Sequence, residues 1–236
     1  ILIGLVGSEM CIRDRSGGID SSVVSTLCAK TGRKTIVLTM PIKQIKTQHD
    51  LSLMHAEWLK KNFNNVEHHL IEMDKIFSSF SNVLNNFENE HGFANSRARL
   101  RMATLYQVAA ANSGIVVGTG NKVEDFGVGF YTKYGDGGVD ISPIADCTKT
   151  QVWELGRHLG VSDEIIKSQP TDGLWDDGRN DVQQLGMSYE DLEKAMANKN
   201  DPNYQKYLKI REKNLHKMNP IPVSYTHLRA HETNQD

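Results

Sequence analysis

The spacing of apolar positions changes period along the chain, and the changes mark out its elements. Residues 23–30 repeat at helical spacing directly behind Ser16-Gly17-Gly18-Ile19-Asp20-Ser21-Ser22, and Gly32 stops them. Residues 36–40 form a continuous, largely β-branched run halted by Pro41, the pattern of a strand covered on both faces. Residues 51–63 return to helical spacing, 66–71 are strand-like, and 73–87 and 96–112 are helical again. A short apolar strand at 115–118 leads into a Gly- and Asp-rich stretch, 119–140, with no periodicity, which reads as a long loop. Helices are predicted at 149–159, 188–197 and 201–215. Strands alternating with helices predict an α/β fold: a doubly wound, mainly parallel sheet with helices on both faces and ligands beyond the carboxyl ends of its strands.

The two ends fit this pattern poorly. Cys11-Ile12-Arg13-Asp14-Arg15 precedes the first loop, and three consecutive charges are costly inside a sheet. The first strand is therefore expected to be missing or supplied by residues 1–6. Residues 1–15 and the polar tail 223–236 are set apart as non-native ends, leaving one domain over 16–222.

Composition removes several classes of function. Of 236 residues, 39% are hydrophobic and 24% charged, which argues against wholesale disorder and fibrous repeats. With 27 Lys and Arg against 29 Asp and Glu, nothing in the overall charge favours nucleic acid or an acidic membrane as partner. Any anion must be bound locally. Cys11, Cys28 and Cys147 are widely spaced, without a zinc pattern, and point to a reducing cytoplasm. No apolar stretch approaches the ~20 residues that span a bilayer.

The local anion site is Ser16-Gly17-Gly18-Ile19-Asp20-Ser21 opening a helix. Paired glycines let backbone N–H groups face an anion, Ser16 and Ser21 add hydroxyls, and the helix N-terminus adds positive potential. The motif lacks the Lys of the common kinase and GTPase loop. Asp20 beside phosphates is tolerable where Mg²⁺ bridges them. A plain N-capped turn is the alternative. Gly118-Thr119-Gly120-Asn121-Lys122-Val123-Glu124-Asp125, at the end of another strand, brings Thr119 and Glu124 to the same rim, with Glu124 a candidate second magnesium ligand. In residues 130–140, aromatics and Lys133 alternate with glycines; the aromatic faces suit a planar ring and Asp140 can accept from a ribose or amide, while a Gly-rich hairpin is the alternative.

Taken in order, these two motifs, Arg97-Ala98-Arg99-Leu100-Arg101-Met102 between them, then Thr132-Lys133-Tyr134-Gly135-Asp136-Gly137, Pro170-Thr171-Asp172-Gly173-Leu174-Trp175 and His216-Lys217, resemble the ammonia-dependent NAD synthetases. The resemblance implies an ATP pyrophosphatase-type (adenine nucleotide α-hydrolase-like) fold. ATP would adenylate the nicotinate carboxylate of deamido-NAD with release of pyrophosphate, and ammonia would then displace AMP. It further implies ATP contacts at Ser16, Gly17, Gly18, Asp20, Ser21, Ser22, Thr119, Lys149 and Thr171, with Asp20 and Lys149 catalytic. Mg²⁺ falls to Asp20 and Glu124, deamido-NAD to Arg99, Lys133, Asp140, His216 and Lys217. A homodimer is implied as well. The chain departs from the family at Val182 and Met218, where Glu and Arg are usual. Two other readings remain: a different ATP pyrophosphatase-type amidotransferase, or a non-catalytic nucleotide-binding module.

Overall fold

The computed structural model describes residues 9–14, 18–171, 173–175 and 180–223, with backbone alone for 9–14. Residues 1–6, Ser16, Gly17 and the tail from 224 onward lie outside the described residues. Strands β1 (Glu9–Asp14), β2 (Thr35–Thr39), β3 (Val66–Leu70) and β4 (Gly114–Val117) pair in parallel in the order β3-β2-β1-β4. Helices α1 (Ile19–Lys30), α2 (Lys46–Asn62), α3 (Asp74–Val83) and α4 (Glu90–Ala111) fill the connections. The order reverses at β1, so the loops leaving β1 and β4 diverge and open a crevice between them, the usual ligand position in such sheets.

The strand that feeds the first loop is thus Glu9–Asp14, contrary to the expectation that its charges bar it from the sheet. The register supplies the reason. Met10, Cys11 and Ile12 pair with both β2 and β4, whereas Arg13 and Asp14 pair with β2 alone and Glu9 with β4 alone. An apolar triplet takes the doubly flanked positions, and the charges fall at the strand ends, on rungs flanked on one side.

β2 is buried along its whole length. Its alternate residues serve two cores: Ile36 and Leu38 pack with Met73, Phe77, Leu105 and Ala109, while Val37 packs with Ala29, Leu59 and Val66. Leu105 and Ala109 thereby bury part of the apolar face of α4 within the same chain. That helix begins six residues earlier than its apolar pattern predicts, because the Asn89 side chain caps it by accepting from the Gly92 N–H at 2.7 Å.

Five further helices are described: α5 (Lys149–Leu159), α6 (Asp163–Lys167), α7 (Asp181–Leu185), α8 (Tyr189–Ala197) and α9 (Tyr204–Met218). The stretch 119–140, expected as loop throughout, contains a π-helical turn, Lys122–Val128. Val123 and Val128 of that turn pack with Leu185, Leu192 and Tyr207, so a second small core holds it. Residues 130–140 form turns without the strands of a hairpin. Helix α5 crosses α1 at Gly156, where a Cβ would stand 2.5 Å from Ile19 Cδ1. This close approach brings the N-termini of both helices to the crevice.

Leu38→Ala should lower stability by about 2–5 kcal/mol, since Leu38 is fully buried, while Val83→Ala, 82% exposed, should stay within about 0.5 kcal/mol of the parent. Denaturant midpoints measure both, and equal shifts would refute the core assignment.

Candidate active site

Three backbone segments meet at the crevice. Gly18 precedes α1 in extended conformation, and no side chain caps the helix, so its first-turn N–H groups remain donors toward the crevice. Beyond β4, Asn121 Oδ1 accepts from the N–H groups of Val123 and Glu124, both at 3.0 Å, and starts the π turn. The same side chain donates from Nδ2 to Asp20 Oδ1 at 2.9 Å, tying the two loops together. A Cβ on Gly120 would stand 1.8 Å from Asp125 Oδ2, so any side chain there would have to displace that carboxylate. The third segment is α5, whose first residue is Lys149 and whose N-terminus is closed by a reciprocal pair of hydrogen bonds between Thr148 and Gln151.

Lys149, 1% exposed, sits between the two loops. Its Nζ donates to Asp20 Oδ2 and, at 2.8 Å, to Glu124 Oε1. The Tyr189 hydroxyl donates to Glu124 Oε1 at 2.6 Å and lies 2.9 Å from Asp181 Oδ2. Burial works to lower the lysine, but the charges of Asp20, Glu124 and Asp181 outweigh it and hold Lys149 above its ordinary range. Burial, reinforced by the charge on Glu124, raises the Asp20 carboxyl in spite of Lys149. Burial also pulls Glu124 upward, yet the Lys149 charge and the hydrogen bonds from Lys149 and Tyr189 keep it below its ordinary value. Burial raises the Tyr189 phenol well above its usual range, as do the charges of Glu124 and Asp181.

Asp20 and Glu124 bond the Lys149 ammonium, and Asp181 adds a third carboxylate whose charge reaches it. Among the described residues no set of three His, Cys, Asp or Glu side chains forms a complete metal cage. Two carboxylates facing a phosphate site are, however, the donor set that Mg²⁺ usually takes, with phosphate and water completing its shell. Asp20 and Glu124 fit such an ion.

Gly18, Asp20, Ser21, Thr119, Glu124, Lys149 and Thr171 all line one cavity. Arg99, Lys133, His216 and Lys217 line a second, and Phe130 and Asp136 border both. Ser22 is not brought into either: it is 1% exposed and its hydroxyl turns back to Gly18 O at 2.9 Å. Nor is Asp140, whose oxygens accept from the Val116 N–H at 2.7 Å and the Tyr106 hydroxyl at 3.0 Å. Lys217 reaches its cavity wall, but its Nζ donates to the carbonyls of Gly129 and Tyr131 at 2.8 and 2.9 Å. Asn121, Asp181 and Tyr189 were given no role from sequence. Asn121 lies inside the second motif, and Asp181 stands directly before the departure at Val182. Of the three arginines spaced two apart, Arg97 and Arg101 are buried and Arg99 faces the cavity.

The family model described as NAD synthase matches residues 6–229. The chain belongs to the NAD synthase family. An NH3-dependent NAD+ synthetase of Carboxydothermus hydrogenoformans is 38% identical over 183 residues, 75% of this chain and 72% of that relative. Among solved structures, an NMN synthetase from Francisella tularensis superposes with a TM-score of 0.85 at 30% identity, covering 94% of this chain and 92% of that one. An NH3-dependent NAD synthetase from Campylobacter jejuni gives 0.70 at 25% identity, covering 92% and 90%. The NAD synthase neighbours share the parallel sheet and its flanking helices, as expected from sequence.

Lys149→Met should lower stability by about 3–5 kcal/mol at pH 7, because it leaves two buried carboxylates without their cation. In the parent, the depressed Glu124 contributes stability above its unfolded pKa and loses it as pH falls, whereas the raised Asp20 costs stability near neutrality and relaxes on acidification. Without Lys149 both carboxyls are raised, so the deficit should shrink between pH 7 and pH 5. A deficit that stays constant in denaturant melts at the two pH values would contradict the shared-cation geometry.

Proposed function

We propose that the centre around Lys149 performs the ATP-dependent amidation of deamido-NAD to NAD by ammonia. One observation carries this reading: six of the nine residues expected at ATP, Gly18, Asp20, Ser21, Thr119, Lys149 and Thr171, line one cavity together with Glu124, and four of the five expected at deamido-NAD line an adjoining one. The triphosphate would lie against the N-terminus of α1, with Ser21, Thr119 and Thr171 as hydroxyl donors. Asp20 and Glu124 would hold Mg²⁺, which when bound neutralises phosphate charge. The nicotinate carboxylate oxygen attacks the α-phosphorus, the α–β phosphoanhydride breaks, and pyrophosphate leaves. Ammonia then adds to the acyl carbon and AMP departs with the carboxylate oxygen. Lys149, held charged by its neighbours, acts as a fixed positive group toward the phosphates and takes no proton. Arg99 and Lys133 supply the charge that would orient the acid substrate's own phosphates.

The likeness to the Francisella NMN synthetase favours a second reading of the substrate, in which the acid is a mononucleotide. A second copy of the chain as partner is supported by Ile76, Val83 and Phe87, exposed together on α3 and the turn after it. A reducing compartment suits the free thiols of Cys28 and Cys147. No helix among the described residues is long and apolar enough to cross a membrane.

Purified protein given Mg-ATP and ammonium should release AMP only when deamido-NAD is present, with the mononucleotide acid as the comparison substrate. Asp20→Ala should reduce turnover by at least 10²-fold, as expected for loss of a bridging carboxylate. Lys133→Ala should raise KM for deamido-NAD about tenfold and leave KM for ATP within about twofold, since one charge-assisted hydrogen bond is worth ~1.5–3 kcal/mol. Equal losses toward both substrates would place Lys133 in the wrong cavity.

A further inference from the structure

Tyr189 is the first residue of α8 and belongs to neither cavity lining, yet it is 2% exposed and its hydroxyl is at the charged centre. That hydroxyl stands 2.6 Å from Glu124 Oε1 and 2.9 Å from Asp181 Oδ2. The ring is wedged edge-on against Trp153, centroids 5.9 Å apart, with Lys149 Nζ 4.9 Å from its centroid. A phenol so fixed by packing cannot follow either carboxylate; the carboxylates must come to it.

Asp181 is where this matters. It opens α7, and its N–H donates to Pro170 O at 3.0 Å, with Asn180 Nδ2 reaching Gln169 Oε1 at 3.0 Å beside it. The chain that departs at Pro170 therefore returns to the same point at Asp181. Just inside this neck are Thr171, on the wall of the first cavity, and Leu174 and Trp175, on the wall of the second. Trp175 Nε1 donates to Gln184 Oε1 of α7 at 2.9 Å, so the second wall is hung on the same short helix. Moving Asp181 moves both walls.

We infer that Tyr189 is a positioning residue: its hydroxyl pins the Pro170–Asp181 neck to Glu124, and so holds the walls of both substrate cavities in register with the Lys149 centre. The inference rests on the reading of the two cavities as nucleotide and acid-substrate sites. It assigns no contact between Tyr189 and any substrate.

Tyr189→Phe keeps the ring, its contact with Trp153 and the small core, and removes only the pin. It should weaken equilibrium binding of α,β-methylene-ATP, measured by calorimetry with Mg²⁺, about five- to tenfold, and raise KM for deamido-NAD by a similar factor, although Tyr189 lines neither cavity. Asp181→Ala, which also takes a carboxylate from the wall of the first cavity, should lose at least as much. The double variant should be no worse than Asp181→Ala alone, because both changes remove the same connection. Asp181→Asn, whose amide can donate to the phenol oxygen while the phenol donates to Glu124, should retain most of the affinity. A purely structural role for Tyr189 would shift the denaturant midpoint without moving either substrate constant, and that result overturns the inference. So do losses that multiply in the double variant. The ATP-analogue arm is read without turnover, so it stands or falls separately from the identity of the acid substrate.

Discussion

A single ammonium, that of Lys149, is shared by carboxylates from two loops that leave different strands, and most of the molecule is arranged around making that possible. Asp20 comes from the first turn of α1, which follows β1, and Glu124 from the π turn that follows β4, 104 positions apart. Parallel strands with a reversal of order between them are what bring two such loops to one rim. Lys149 arrives from a third element because α5 packs against α1 through Gly156, with no side chain to hold the helices apart. Asn121 closes the arrangement, capping the π turn with one end and holding Asp20 with the other.

Such a centre is a poor device for stability. Burying charges loses hydration that a salt bridge rarely restores in full, and a well-packed apolar replacement is often as stable or more so. Here Asp181 adds a third carboxylate near the ammonium, and the acids pull apart, Asp20 upward and Glu124 downward. On the proposed reading, buried carboxylates beside an uncapped helix N-terminus suit a polyanion and a divalent cation that arrive together. The helix end and Lys149 would meet the phosphates, and the carboxylates would meet the metal.

Much of this was legible in the residue order, for a definite reason. Gly18, Asp20 and Ser21 act through local backbone geometry at a helix start, and short-range spacing encodes that directly. Lys149 and Glu124 sit at boundaries where periodicity changes, which again is local. Ser22 and Asp140 share those motifs but turn to the backbone of Gly18 and Val116, a choice made by rotamer and packing. Asn121, Asp181 and Tyr189 work through partners 101, 8 and 65 positions away, and nothing nearby signals such pairings. Helices α6 and α7 have five residues each, too few to show a period of 3.6. The charges of β1 misled because their cost depends on which rungs are flanked on both sides, a property of register.

The far wall of the second cavity shows how little of a site need touch its ligand. Arg211, Asn214 and Lys217 recur every third residue along one face of α9, and together they take the carbonyls of Phe126, Gly127, Val128, Gly129 and Tyr131. Phe126, Gly127 and Val128 are at the end of the π turn, whose last carbonyls have no partners inside the helix. In return the Tyr131 hydroxyl donates to Lys217 O at 2.6 Å and Lys133 Nζ to His216 O at 2.9 Å. Met218, where the resembling family has Arg, lies with its sulfur 3.7 Å from the Arg211 guanidinium, so a cation stands beside that position from one turn pair earlier in the helix. The segment so held begins at Glu124 and ends at Lys133, with Phe130 between the two cavities. A helix face that reads only backbone thus fixes the spacing between Glu124 and Lys133.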